Sequence, residues 1–235
     1  MVSKDTARTI VGIIGNIISF GLFASPIPTF KKIYHEKTVG GFKPDPYLAT
    51  VLNCSLWVLY GLPFVHPDSV LVITINGIGL VMEIIYVSIF FTYSDWAKRK
   101  KIVMALLCIV IFVAAVAGIT MGAFHTHHDR SMFVGILCVV FNVVMYASPL
   151  TVMRRVIRTR SVKYMPFFLS LANLMNGIVW LIYALIKIDA YIVIPNALGT
   201  ISGLVQMVLY AAFYKSTPRE EEEVKKTQEV QLSGI

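Results

Sequence analysis

Apolar positions fall into seven long stretches separated by short polar clusters. They lie at approximately 10–30, 45–64, 70–93, 102–124, 132–153, 166–186 and 191–213. Each is close to the roughly 20 residues an α-helix needs to cross about 30 Å of hydrocarbon. Barrel strands are about half that length, and a helix satisfies its backbone hydrogen bonds without a neighbour. The pattern therefore predicts an all-α membrane protein with seven transmembrane helices. The connections His66–Ser69 and Lys187–Ala190 are a few residues long, which makes the helices they join antiparallel. No separate water-soluble domain is visible.

A second pattern lies within the first. A shift of 123 positions lays Gly12-Ile13 over Gly135-Ile136 and Ala24-Ser25-Pro26 over Ala147-Ser148-Pro149. The same shift pairs Lys31-Lys32 with Arg154-Arg155, Asn53 with Asn176, Trp57 with Trp180 and Tyr60 with Tyr183. After a short deletion, a shift of 120 matches Ile75-Asn76-Gly77-Ile78-Gly79 to Pro195-Asn196-Ala197-Leu198-Gly199. Spans one to three thus repeat as spans five to seven. Three spans are an odd number, so two copies joined end to end would point in opposite directions. Span four restores the direction and makes the two bundles parallel, a 3+1+3 plan. The expected divisions are 8–93 for the first repeat, 94–131 for the linker helix and its loops, and 132–214 for the second repeat. A cytosolic, disordered tail is expected over 215–235. Span four has no counterpart and is expected to carry no substrate chemistry.

Composition agrees. Apolar residues make up 57% of the chain and charged residues 14%, with a mean hydropathy of +0.72. Soluble domains carry roughly a quarter charged residues, so a soluble enzyme is excluded. The first apolar run is longer than a signal-peptide core and no small-residue cleavage site closes it, so it reads as a span. Cys54, Cys108 and Cys138 all fall inside spans and imply neither disulfides nor metal. Asn53-Cys54-Ser55 matches a glycosylation pattern but also lies within a span.

Charge orients the bundle. Loops 1–2, 3–4 and 5–6 and the tail together hold 17 of the 21 Lys and Arg residues. The positive-inside rule places that side, and the C-terminus, in the cytosol, and the N-terminus in a lumen or outside. Basic loops against anionic lipid account for the net charge of +8 without any nucleic acid.

The chemistry inside the spans is neutral. Asn76 and Asn196 are repeat-related, sit well inside spans three and seven, and offer both donors and acceptors. Such amides suit an uncharged polyhydroxylated ligand; interhelical hydrogen bonds are the alternative. Asn176 and Trp180 are four residues apart, hence on one helix face, and an indole there could stack on a sugar ring. Headgroup-level belt positions are the alternative for Trp57 and Trp180. Pro26, Pro46, Pro149 and Pro166 mark the spans near their basic ends as candidate hinges. Spans continue on both sides of Pro26 and Pro149, whereas Pro46 and Pro166 could be helix-start prolines, and Pro44 competes with Pro46.

Tyr60 and Asp189 stand at the opposite edge, either as a hydroxyl–carboxylate gate or as two unrelated interfacial residues. Glu83 is the one acidic residue clearly within a span, readable as a proton site, a structural contact or a residue near the interface. His125, His127, His128 and Asp129 read as a solvated loop rather than a metal site. The run Glu220–Glu223 reads as solvated tail. No phosphate loop, nucleophile elbow or catalytic His/Asp pairing is present, so an enzyme or an ATP-driven pump is not expected, and no cofactor or metal is implied.

Taken together, the 3+1+3 layout and particular stretches resemble the plant SWEET sugar transporters over about residues 8–215. These stretches are Tyr146-Ala147-Ser148-Pro149-Leu150, Tyr164-Met165-Pro166-Phe167-Phe168, Thr74-Ile75-Asn76-Gly77 and Ile194-Pro195-Asn196. The resemblance implies bidirectional uniport of a sugar, glucose or another hexose, by alternating access without ion or ATP coupling. It implies sugar contacts from Asn76, Asn196, Trp180, Asn176, Cys54, Met145 and Val58. It further implies a cytosolic hinge tetrad of Pro26, Pro46, Pro149 and Pro166, and an outer gate of Tyr60 with Asp189. The likeness is to the hexose-type clade with vacuolar members, which implies a vacuolar rather than a plasma membrane, and homo-oligomers. Cys54 and Asn176 stand where many members carry Ser. A seven-span receptor and a repeat transporter for amino acids are the rival classes; longer loops would favour the first, and competition by amino acids the second.

Overall fold

The computed structural model describes residues 3–217, and within these every regular element is an α-helix. There are nine among the described residues: α1 Lys4–Ala24, α2 Ile27–Glu36, α3 Asp45–Gly61, α4 Val70–Thr92, α5 Trp96–Ala123, α6 His127–Met145, α7 Ala147–Thr159, α8 Phe167–Ile186 and α9 Ala190–Phe213. Seven crossings arise because α1–α2 and α6–α7 are each one broken span. The expected tail from 218 onward, with Glu220–Glu223, lies outside the described residues.

Six of the crossings have the length and hydropathy of membrane spans on their own. The remaining one, α3, is 17 residues long, shorter than the stretch 45–64. Gly61 and Leu62 end it: Gly61 lies against Ser69 and Ile73 of the returning chain, and Leu62 turns extended.

The two broken spans extend further on the basic side than hydropathy alone suggests. α2 buries Phe30 and Ile33 while Lys31 and Lys32 face out; α7 buries Met153 and Val156 while Arg154 and Arg155 face out. Basic residues expected in loops are thus on amphipathic helical ends. Both segments stop at repeat-related residues in the left-handed region, Lys37 (φ 55°) and Arg160 (φ 49°).

Within each bundle the third crossing sits between the first two: α4 packs on α1 and α3, and α9 packs on α6 and α8. Across the bundles α1 meets α8 and α3 meets α6, one contact used twice. α5 lies outside, against α3, α4 and α6. Backbones approach closely where small residues permit. A Cβ at Gly203 would stand 2.9 Å from the Leu174 backbone, and one at Gly177 would stand 3.0 Å from the Thr200 hydroxyl. Close approach through small residues is how helices gain packing energy in lipid.

The core is divided unevenly. One cluster, including Trp57, Tyr60, Ile75, Val134, Trp180, Tyr183 and Ile192, draws on both bundles at the end opposite the basic loops. At the basic end each bundle has its own core, Phe30, Ile33, Leu48, Tyr86 and Phe90 in the first and Val156, Val162 and Met165 in the second. The bundles are joined at one end and separate at the other.

Candidate functional site

A cavity of about 340 Å³ lies where the two bundles meet. Its wall consists of nine repeat-related pairs. At a shift of 123 these are Ser19/Asn142, Leu22/Met145, Phe23/Tyr146, Thr50/Asn173, Asn53/Asn176 and Trp57/Trp180. At a shift of 120 they are Val72/Ile192, Ile75/Pro195 and Asn76/Asn196. Helical periodicity explains the choice: Thr50, Asn53 and Trp57 share one face of α3, as Asn173, Asn176 and Trp180 share one face of α8. Six asparagines and two tryptophans line the space, and no lining residue carries a charge. α5 contributes nothing to it.

Hydrogen bonds preset this wall. Asn76 Nδ2 donates to the Val72 carbonyl at 2.9 Å, and Asn196 Nδ2 donates to the Ile192 carbonyl at 2.8 Å. One N–H of each amide is thereby tied to its own helix, which fixes the side chain and leaves the amide oxygen and the second N–H for a ligand. Ser19 Oγ donates to Asn176 Oδ1 at 2.6 Å, and its repeat mate Asn142 donates to Asn53 Oδ1 at 3.1 Å. Each of these bonds crosses from one bundle to the other. Trp180 Nε1 donates to Ser19 Oγ at 3.0 Å, and Gly15 lies so close beneath the indole that a Cβ there would be 3.0 Å from it. Tyr146 breaks the symmetry: its hydroxyl donates to the Pro195 carbonyl at 2.7 Å, where the first bundle has Phe23.

The end opposite the basic loops is shut. Tyr60 is wholly buried and its hydroxyl lies 2.8 and 2.9 Å from the two carboxylate oxygens of Asp189. Asp189 also caps α9, accepting the Tyr191 and Ile192 N–H groups. His66 stacks on the Tyr60 ring at 4.7 Å and places Nε2 3.2 Å from Asp189 Oδ2. Asp189 lies just outside the span. Burial alone would raise its carboxyl, but the bonds from His66, Tyr60 and Ile192 outweigh it and hold the group below the usual carboxylate range. On the other bundle, Arg8 covers the Tyr183 ring at 4.3 Å and donates to the Asp68 carbonyl, while Lys187 pairs with Asp5 and Asp68. Toward the basic end the wall continues into a second space of about 400 Å³ through Asn142, Met145, Tyr146, Asn173, Asn176 and Asn196. That space reaches Pro149, Tyr164 and Pro166. The conformation is closed at one face and open toward the other.

Residues 9–98 and 132–218 both match the family described as "Sugar efflux transporter for intercellular exchange", once for each repeat. The chain belongs to the SWEET sugar transporter family. Among its relatives, the bidirectional sugar transporter SWEET5 of Arabidopsis thaliana is 59% identical, covering 100% of this chain and 98% of that protein. The bidirectional sugar transporter SWEET4 of the same plant is 56% identical over 100% of this chain and 96% of the relative. A solved structure of a eukaryotic SWEET transporter superposes with a TM-score of 0.87 at 38% identity, over 90% of this chain and 99% of the other. Parallel repeats of this kind are an established transporter plan.

Within this SWEET fold the expected residues divide. Asn76, Asn196, Asn176, Trp180 and Met145 stand on the cavity wall. Cys54 and Val58 do not: each sits one position round the helix from a wall residue, Asn53 and Trp57. Cys54 is fully buried at the counterpart of Gly177, a helix-packing position. Pro149 and Pro166 face the second space, and Pro26 and Pro46 line neither.

The breaks in the two spans are not symmetric. Pro26 follows a tightened turn in which the Ser25 N–H bonds the Leu22 carbonyl, whereas the second break falls at Tyr146, three residues before Pro149. By cap position Pro44 corresponds to Pro166, since each is the N-cap of its helix, and Pro46 is the second residue of α3. His127, His128 and Asp129 form the first turn of α6 behind the Thr126 cap rather than a loop.

Glu83 is buried away from the wall with one carboxylate oxygen unpartnered, at the counterpart of Gly203. The sequence reading missed Ser19, Thr50, Asn142, Tyr146 and Asn173 as wall residues, and missed His66. The shift of 123 that pairs Asn53 with Asn176 also pairs Ser19 with Asn142 and Thr50 with Asn173, so the repeat contained that signal.

Proposed function

We propose that this chain is a bidirectional sugar uniporter that carries glucose or a similar hexose by alternating access, without coupling to an ion gradient or ATP. The observation that carries this reading is the uncharged wall of nine repeat pairs at the junction of two bundles. A space of about 340 Å³ is at the small end of ligand pockets, which suits one hexose ring. Asn76 and Asn196 would bond sugar hydroxyls from opposite sides, with Asn176 and Met145 completing the wall and Trp180 stacking on the ring, opposite Trp57. Cys54 and Val58 would act from behind the wall by setting how α3 packs. Tyr60 and Asp189 form the outer gate. Pro26, Pro46, Pro149 and Pro166 form the hinges of the basic end, which faces the cytosol.

Residues 8–93 and 132–214 then move as two units about the linker 94–131. Two bundles that share a core at one end and have separate cores at the other can rock about the cavity. We place the N-terminus on the lumenal or external side, the C-terminus in the cytosol, and the protein in the vacuolar membrane, as a homo-oligomer. An uncharged wall gives a travelling ion no seat, which supports uniport over coupled transport.

The test is uptake of radiolabelled glucose by purified protein in liposomes. Saturable flux in both directions is expected, lost in Asn76→Ala and in Asn196→Ala while both variants remain monodisperse in detergent. Full flux in both variants overturns the pocket assignment. Inhibition of uptake by amino acids rather than by hexoses overturns the sugar reading.

A further inference from the structure

The break in the first span releases one backbone group, and a side chain from the third crossing takes it up. Pro26 has no N–H, and the Ser25 N–H turns back to the Leu22 carbonyl at 3.1 Å. An unbroken helix would send the Ile27 N–H to the Phe23 carbonyl, but no backbone N–H among the described residues reaches that carbonyl across this break. Its donor is the Tyr86 hydroxyl of α4, at 2.9 Å. Inside a membrane protein a carbonyl without a donor is costly, so this bond has work to do. The same side chain also grips the other half of the span. The Tyr86 ring stacks on Phe30 of α2 with centroids 4.5 Å apart and planes 13° from parallel. Tyr47 of α3 meets the Phe30 and Tyr86 rings edge-on at 4.9 and 6.0 Å. One buried residue thus holds α1 by its hydroxyl and α2 by its ring, and ties both to α4.

The second bundle lacks this device and lacks the need for it. Tyr146, the counterpart of Phe23, keeps a helical donor on its carbonyl, the Leu150 N–H at 3.1 Å. Gln206, the counterpart of Tyr86 at a shift of 120, donates to Ser202 on its own helix at 3.5 Å. The freed carbonyl and the hydroxyl that straps it therefore occur together, in one bundle of the two.

We propose that Tyr86 is a positioning residue for sugar binding: it fixes the angle of the first break and so holds the wall strip Ser19, Leu22 and Phe23 in place for the ring. The proposal rests on the transport reading above. These three residues lie in the last two turns of α1 before the break, and all three line the cavity, whereas Tyr86 does not. Tyr86 acts on the sugar only through them. Without its hydroxyl the end of α1 loses its tether to α4, and the strip is in place for only part of the time. Apparent affinity falls by that fraction, whereas saturating sugar draws the strip back and restores the maximal rate.

The test pairs glucose exchange in liposomes carrying the full chain with a distance measurement across the break. Nitroxides on Ile13→Cys in α1 and Lys31→Cys in α2, both exposed positions, report the angle of the broken span by pulsed electron resonance in a Cys108→Ser background. Tyr86→Phe keeps the stack on Phe30 and removes only the hydroxyl. It is expected to broaden the distance distribution and to raise the KM for glucose about two- to tenfold, the range one net hydrogen bond spans, with the maximal rate little changed. Adding Pro26→Ala lets the helix run through and returns the Ile27 N–H to the Phe23 carbonyl, so the distribution should narrow again around a longer distance. An unchanged distribution in Tyr86→Phe overturns the strap, as does a broad one in the double variant. A KM that stays at the wild-type value, whatever the maximal rate, overturns the positioning role. Absence of exchange in the wild-type chain would instead refute the transport reading, while the distances still decide whether Tyr86 holds the break.

Discussion

Tyr146 and Gly199 form a contact whose energy can be dissected by substitution. A Cβ built at Gly199 stands 2.6 Å from the Tyr146 hydroxyl oxygen, too close for carbon and oxygen, and 3.6 Å from the next ring atom. Gly199→Ala must therefore push the hydroxyl off the Pro195 carbonyl, now 2.7 Å away. The lost bond costs about 1 kcal/mol. The crowding costs about 1–3 kcal/mol, and the better helix propensity of Ala returns about 1 kcal/mol. A net loss of about 1–3 kcal/mol follows from these terms.

Tyr146→Phe alone loses the bond, about 1 kcal/mol. In the double variant the obstructing oxygen is gone and the new methyl meets ring carbon at an ordinary distance. The two losses should not add: the double variant loses the bond once and escapes the crowding, so the shortfall should be about 2–4 kcal/mol. The assay is thermal denaturation of the purified protein in detergent, followed by the monodisperse fraction, where about 1 kcal/mol moves the midpoint by roughly 2–4 °C in a chain of this size. Strictly additive midpoint shifts would refute the reasoning. The first bundle provides a contrast: a Cβ at Gly79 would meet the carbons of the Phe23 ring, so no single atom can be removed to relieve it.

Two further outcomes are expected. Tyr60→Phe removes a hydrogen bond to a buried carboxylate, about 1.5–3 kcal/mol, and should open the outer end more often. Labelling of the buried Cys138 by a water-soluble maleimide, in a Cys54→Ala, Cys108→Ser background, should accelerate; unchanged labelling would show that the hydroxyl does not hold the gate. Ser19→Ala leaves both Asn176 Oδ1 and Trp180 Nε1 without their partner, at about 1–3 kcal/mol for each unsatisfied group, so the KM for glucose exchange should rise about tenfold. An unchanged KM would mean that the Ser19 bridge does not position the wall.

Hydropathy revealed six crossings well, because the hydrocarbon core imposes a length on each. It overestimated α3, where Gly61 lets the returning chain approach before the apolar run ends. It also missed the reach of α2 and α7, whose outward Lys and Arg lower the average of a segment with a buried face. In the cavity, Asn76, Asn196 and Trp180 were legible because identical residues recur in both copies. Ser19 and Asn142 were not, since unlike residues at matched positions carry no visible likeness even when they do the same job. His66 was invisible for another reason. A histidine in a short turn has no periodicity, and its contacts come from Ser131 and Asp189, which reach it from distant parts of the chain.

Of the nine wall pairs, only Asn53/Asn176, Trp57/Trp180 and Asn76/Asn196 are identical. A sugar ring rotated half a turn about the axis relating the bundles would meet the same amides and indoles at those three pairs. Nothing in them distinguishes the side of the ring turned to one bundle from the side turned to the other. The choice between the two poses falls to the unlike pairs, above all Asn142 opposite Ser19 and the Tyr146 hydroxyl opposite the bare ring of Phe23. The seat therefore accepts a ring in two sideways poses, and only the unlike pairs set which of them is preferred.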